Sequence, residues 1–95
     1  MTVEANFSYG VHSAASTVTH SSAPCVLHAV AITGGGAAGV LAGDVSILDN
    51  TTVLLKFITG ALPPGGIVLD ADITTSLKTT LGHADDQLVI TFRNR

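Results

Sequence analysis

The sequence predicts an all-β domain: a single antiparallel β-sandwich, jelly-roll-like, of about seven or eight short strands. Three observations predict it. No segment keeps apolar residues at spacings of three and four over the roughly 11 residues that an amphipathic helix needs. Strict alternation recurs instead, as in Ile67-Val68-Leu69-Asp70-Ala71-Asp72-Ile73, which marks one covered face and one wet face. Gly, Pro, Asn and Asp then cut these runs at intervals of roughly 8–12 residues, the spacing of a sandwich or jelly roll.

Taken in order, the first strands are the weakest. Phe7–Val11 and Thr17–Ser22 show partial alternation, and the stretch between them is small and polar. Cys25–Thr33 is nearly continuous apolar, with only His28 and Thr33 polar. It reads as a central strand covered on both faces, or as one shifted by a bulge. Gly34–Gly39 is a flexible loop. Asp44–Leu48 follows with Val45 and Ile47 inward, then a tight Asp49-Asn50-Thr51-Thr52 turn, since Asn and Asp tolerate left-handed backbone. In Val53–Thr59 the expected inward set is Val53, Leu55 and Phe57, with Lys56 in water. The prolines of Gly60–Gly66 cannot donate ladder hydrogen bonds, so that segment leaves the sheet. Ile67–Ile73 presents its odd positions inward. Thr74–Leu81 is rich in β-branched residues and reads as a strand with Leu77 inward. Gly82–Asp86 is the last turn, and Gln87–Arg93 sends Leu88, Ile90 and Phe92 inward. Leu69, Ile90 and Phe92 are the expected core markers.

The 95 residues make one domain, read as an arm or edge strand over residues 1–16 and the sandwich over 17–95. Only 12% of residues are charged, about half the ~25% of ordinary soluble domains, and the mean hydropathy is +0.52. Ser, Thr, Ala and Gly cover the surface in place of charge. Such a surface desolvates at little cost, which points to burial in an oligomer or a larger assembly. Net charge is -3 with four Lys and Arg in all. That excludes nucleic acid, whose affinity comes from neutralised phosphates, and a polybasic membrane patch. No apolar run nears the ~18 residues of a membrane span, and the opening residues lack the pattern of a signal peptide. The lone Cys25 cannot form an internal disulfide and reads as a small buried hydrophobe.

Each tempting constellation has a plainer reading. Gly34–Gly39 matches G-x-G-x-x-G, but the following Val40-Leu41-Ala42-Gly43 cannot open the helix that a dinucleotide site requires. His12, His20, His28 and His83 lie at no metal-ligand spacing with one another, with Cys25 or with a carboxylate. They read as surface or partly buried histidines, none placed meaningfully beside a Ser nucleophile. Asp70, Asp72, Asp85 and Asp86 do not follow a calcium-loop spacing and read as solvated carboxylates. Asn6-Phe7-Ser8 and Asn50-Thr51-Thr52 match the glycosylation triplet by chance. No catalytic, cofactor-binding or metal-binding residue is therefore expected, and the chain is not read as an enzyme. Phe7, Tyr9 and Val11 alternate with Ser8 and Gly10, and this apolar side is the expected contact with a partner.

The run Cys25-Val26-Leu27-His28-Ala29-Val30-Ala31-Ile32-Thr33, a Gly/Ala loop, and Asp44-Val45-Ser46-Ile47-Leu48-Asp49-Asn50 resemble small virion proteins of tailed bacteriophages. Leu48 stands where that pattern usually has Tyr. The resemblance spans roughly Cys25–Phe92 and leaves residues 1–24 uncovered. It implies a jelly-roll-like module located on the virion, a capsid decoration or cement protein. Its partners would be the major capsid protein or another virion protein, and its own copies in a homotrimer. The alternative is a fibre-tip or carbohydrate-binding sandwich that contacts a host surface. Against it stands the scarcity of aromatic platforms, with no Trp, one Tyr and three Phe.

Overall fold

The computed structural model describes residues 7–61 and 66–94. The first six residues of the segment read as an arm, Asn6 of one glycosylation triplet, and Leu62–Gly65 of the proline loop lie outside the described residues. Among the described residues eight strands form: β1 (Ser8–His12), β2 (Thr17–Ser21), β3 (Cys25–Thr33), β4 (Val45–Asp49), β5 (Thr52–Phe57), β6 (Gly66–Ile73), β7 (Leu77–Leu81) and β8 (Gln87–Asn94). They make two four-stranded sheets, A in the order β1-β8-β3-β6 and B in the order β2-β7-β4-β5. Every pairing is antiparallel.

The topology follows from how the pairs nest. β4 pairs with β5, β3 with β6, β2 with β7 and β1 with β8. The chain is thus one long hairpin, folded so that successive pairs fall alternately in the two sheets. Only the β4–β5 turn stays within a sheet, and every other connection crosses the sandwich. This is the jelly-roll order of strands. The central turn works because Asn50 takes a left-handed φ of 58°, which Asn tolerates.

Alternation builds the core. Leu88, Ile90 and Phe92 of β8 and Val45 and Ile47 of β4 are buried, as are Leu77 and Leu81 of β7. Cys25, Leu27, Val30 and Ile32 of β3 join them in one cluster drawn from both sheets. The parity change within β3, from Cys25 and Leu27 to Val30 and Ile32, is a bulge at His28, where the register skips against both β6 and β8. An extra residue turns the strand so that both halves face inward. Leu41, in the loop before β4, is buried too. It exchanges backbone bonds with the segment after β5: its amide to Ala61 and its carbonyl from Gly60, each at 2.9 Å.

Four expectations about individual segments change. Val53 is 52% exposed and does not face the core. A bulge at Leu54 pairs Leu48 with Val53 directly after Ile47 with Leu55, so only Leu55 and Phe57 stay in the inward phase. Leu69 packs against the core cluster but is only half-buried, because β6 is a sheet edge. β7 begins at Leu77, because the Thr74–Ser76 amides are bonded to Asp49 and make a turn. The glycine loop, expected to be flexible, is tied by hydrogen bonds. Gly36 and Gly39 donate within it, to Val40 and Gly36, and the Gly35 amide donates to Asp86.

Candidate functional site

The two outer faces of the sandwich differ in chemistry, and strand register shows how. Across sheet A, Tyr9, Thr91, Ala29 and Val68 form one row, and Val11, Val89, Ala31 and Gly66 form the next. Neither row carries a charge. Tyr9 is 74% exposed, Val68 66% and Val11 53%. The charged residues of this face, Asp70, Asp72 and Arg93, gather toward one end. Across sheet B the corresponding rows are Thr17, Thr80, Ser46 and Lys56, then Thr19, Lys78, Leu48 and Val53. Hydroxyls and two lysines dominate there, and Thr17 and Thr80 share a hydrogen bond of 3.0 Å.

Phe7, Tyr9 and Val11, singled out from the sequence, lie at the sheet-A edge with their side chains on the outer face. Inward, the same strand offers only Ser8, Gly10 and the buried His12. Phe7 stacks on His28 with ring centroids 4.6 Å apart. The His28 Nδ1 meets the Asp70 carboxylate at 2.7 Å. Asp70 itself has a left-handed φ of 47° where β6 passes the β3 bulge. The bulge therefore brings His28, Asp70 and Phe7 together at the corner of the apolar rows.

Inside the sandwich, at its β1–β2 end, sits a polar group whose His12 departs from the expectation of surface or partly buried histidines, while His20 is partly buried as expected. His12 is 2% exposed. Its Nδ1 lies 2.8 Å from the Thr79 hydroxyl, and His20 Nε2 lies 2.7 Å from the same oxygen. His12 Nε2 reaches the Ser16 hydroxyl at 3.2 Å. Burial pushes both imidazoles below the ordinary histidine range. For His20 the neighbouring His12 adds to this, and for His12 the Ala14 backbone partly offsets it. A Cβ on Gly10 would run into the His20 ring, so a larger residue there would force that ring to move.

Asp86 is the second correction. It is 1% exposed, not solvated. Its carboxylate accepts the amides of Gly35 at 2.8 Å, Ala42 at 2.9 and 3.1 Å, and Gly43 at 3.0 Å. Burial alone would raise its pKa, but these three amides together hold it below the usual carboxylate range. Within the glycine loop, whose amides in a nucleotide site would cradle phosphate, Gly35 donates to this side chain while Gly36 and Gly39 donate to backbone carbonyls. Two partly buried aspartates tie other loops. Asp49 accepts from Thr74, Thr75 and Ser76, and Asp44 accepts the Thr59 hydroxyl and amide, both at 2.7 Å. Hydrogen bonds from Thr74 and Thr59 lower their respective pKa values.

A phase argument finds several of these residues in the sequence. Asp86 falls on the inward register of Leu88, Ile90 and Phe92, and Thr79 on that of Leu77 and Leu81. Sequence reasoning gave polar residues to the surface by type and so missed them. Among the described residues no cleft opens and no three metal-ligating groups converge. No protein-family model matches this chain, and no curated protein matches it either.

Proposed function

We propose that this domain is a structural protein of a bacteriophage virion, a capsid decoration or cement protein that stabilises contacts between capsid subunits and assembles as a homo-oligomer, most simply a trimer. The observation that carries this reading is the pair of uncharged rows on the outer face of sheet A. Those two rows hold Tyr9, Val11, Val68, Val89, Ala29, Ala31 and Gly66, with hydroxyls from Tyr9 and Thr91 alone. Contiguous apolar surface of this kind marks protein contact, and a flat sheet face suits a broad protein surface better than a small ligand. The hydroxyl-rich face of sheet B gives the domain an opposite side compatible with water. The jelly-roll order agrees with the reading but serves viral shells and lectins alike, so it does not choose between them.

Sedimentation of the purified chain at micromolar concentration tests the assembly, with a species heavier than a monomer expected. Antibody labelling of virus particles from the source, followed by a density map, tests the location. A chain that stays monomeric at high concentration and is absent from particles overturns the reading. Tyr9, together with the Phe7–His28–Asp70 group, favours a second one, in which these aromatic rings receive a sugar. Glycan binding that Tyr9→Ala abolishes, without change in sedimentation, would select that alternative.

A further inference from the structure

We propose that His12, Thr79 and His20 form an acid-sensitive latch that holds edge strand β1 in the sandwich and releases it when both imidazoles are protonated. The proposal stands apart from the virion reading, because it concerns one strand and one interior contact.

It begins with what β1 lacks. Every other strand of sheet A sends apolar side chains into the core, but β1 sends Ser8, Gly10 and His12, while its apolar residues face out. The strand is an edge, laddered only to β8. Its interior side-chain tether is therefore His12, bonded across the sandwich to Thr79 of β7, whose hydroxyl also meets His20 of β2. Elements with little buried apolar contact are the ones that open locally.

Hydrogen-bond accounting then gives the trigger. A hydroxyl donates once and accepts twice, and a neutral imidazole has one donor and one acceptor nitrogen. With both rings neutral, Thr79 donates to one ring and accepts from the other. With one ring protonated the arrangement survives, since the cation donates to the Thr79 oxygen and Thr79 donates to the neutral ring. With both protonated, each ring donates, and the Thr79 proton loses its ring acceptor. Two cations then stand with ring centroids 6.3 Å apart inside the sandwich. The second proton is the one that breaks the latch.

No carboxylate relieves that charge among the described residues. Of the groups on the strands packed around the cluster, Lys78 of β7 lies on the outer face of sheet B. Arg93 of β8 and Tyr9 of β1 lie on the outer face of sheet A, and β2 carries no charged side chain apart from His20 if protonated. The other two histidines lie beside carboxylates, His28 with Asp70 and His83 with Asp85.

Amide hydrogen exchange of the intact chain, followed by NMR between about pH 7.5 and about pH 5 and corrected for intrinsic rates, tests the proposal. The β1 amides should lose protection roughly tenfold or more relative to β3 amides as the pH falls. In His12→Gln and in His20→Gln, where two cations cannot form, that selective loss should vanish. Equal loss in β1 and β3, or a selective loss unchanged in both variants, overturns it. Should the variants not fold, ring titration of the unaltered chain decides. Two separated steps, with β1 resonances following the lower one, support the latch; one shared step with β1 unmoved refutes it.

Discussion

Asp86 shows how much one side chain organises. Its two oxygens gather amides from both ends of the β3–β4 connection, and so fix that loop to the turn before β8. Replacing it by Asn puts an NH2 group where an amide already donates, and removes the charge that strengthens the remaining bonds. Asp86→Asn should therefore cost about 2–3 kcal/mol, read by denaturant unfolding. The same carboxylate sets part of the acid response. Its folded pKa is lowered, so as pH falls the unfolded chain takes up its proton first. Stability contributed by Asp86 is full above the ordinary carboxylate range and is lost as pH falls through the depressed folded value. Asp86→Asn should accordingly flatten the acid limb of the stability profile, and an unchanged limb would show that the carboxylate does not supply it. Phe92 is the apolar counterpart, 7% exposed and paired in register with Leu27. Phe92→Ala should cost about 3–5 kcal/mol by the same measurement, a large share of the stability of a domain this size.

At the scale of elements, β5 separates what alternation predicts from what a bulge changes. Leu55 packs on the core, whereas Val53, two residues away, is 52% exposed. Leu55→Ala should destabilise by about 2 kcal/mol or somewhat more. Val53→Thr should stay within about 0.5 kcal/mol of the unaltered chain. Equal losses would put Val53 back in the core and the bulge in the wrong place. The strands and most inward positions were legible because a period of two survives wherever the ladder is regular. β8, β4 and β6 all show it. Bulges were less legible, since one extra residue inverts the phase. In β3 the shift from Leu27 to Val30 signals it, because both flanks remain apolar. In β5, Val53, Leu54 and Leu55 are all apolar, and nothing marks the extra residue. The interior His12–Thr79–His20 group was not legible either. Its members are 59 and 67 residues apart in the chain, and only the nesting of β1 with β8 and β2 with β7 brings them together. The exposed apolar side of β1 was visible as a pattern, but its direction depends on that same nesting.

At the scale of the whole molecule, the proposed assembly needs one face for its contact, and a matched pair of substitutions tests which. Val68 and Val53 are both β-branched, both more than half exposed, and both on an edge strand at the end of a cross-sheet row. They differ in which face they occupy. Val68 closes the row of Tyr9, Thr91 and Ala29, whereas Val53 closes the row of Thr19, Lys78 and Leu48. Replacing either by Glu adds the same charge and removes the same methyl groups, so effects on solubility and on strand propensity should cancel in the comparison. On sheet A the new carboxylate would have to be desolvated beside apolar neighbours in any contact, which is costly when unpaired. On sheet B it would stand in water within reach of the lysine row. Val68→Glu should therefore lower self-association by at least tenfold in sedimentation, a change of about 1.4 kcal/mol, while Val53→Glu leaves it unchanged and both variants keep their melting temperature. If Val53→Glu dissociates the assembly and Val68→Glu does not, the contact lies on sheet B. If both variants associate as the unaltered chain does, neither outer face makes the contact, and the strand edges become the place where copies meet.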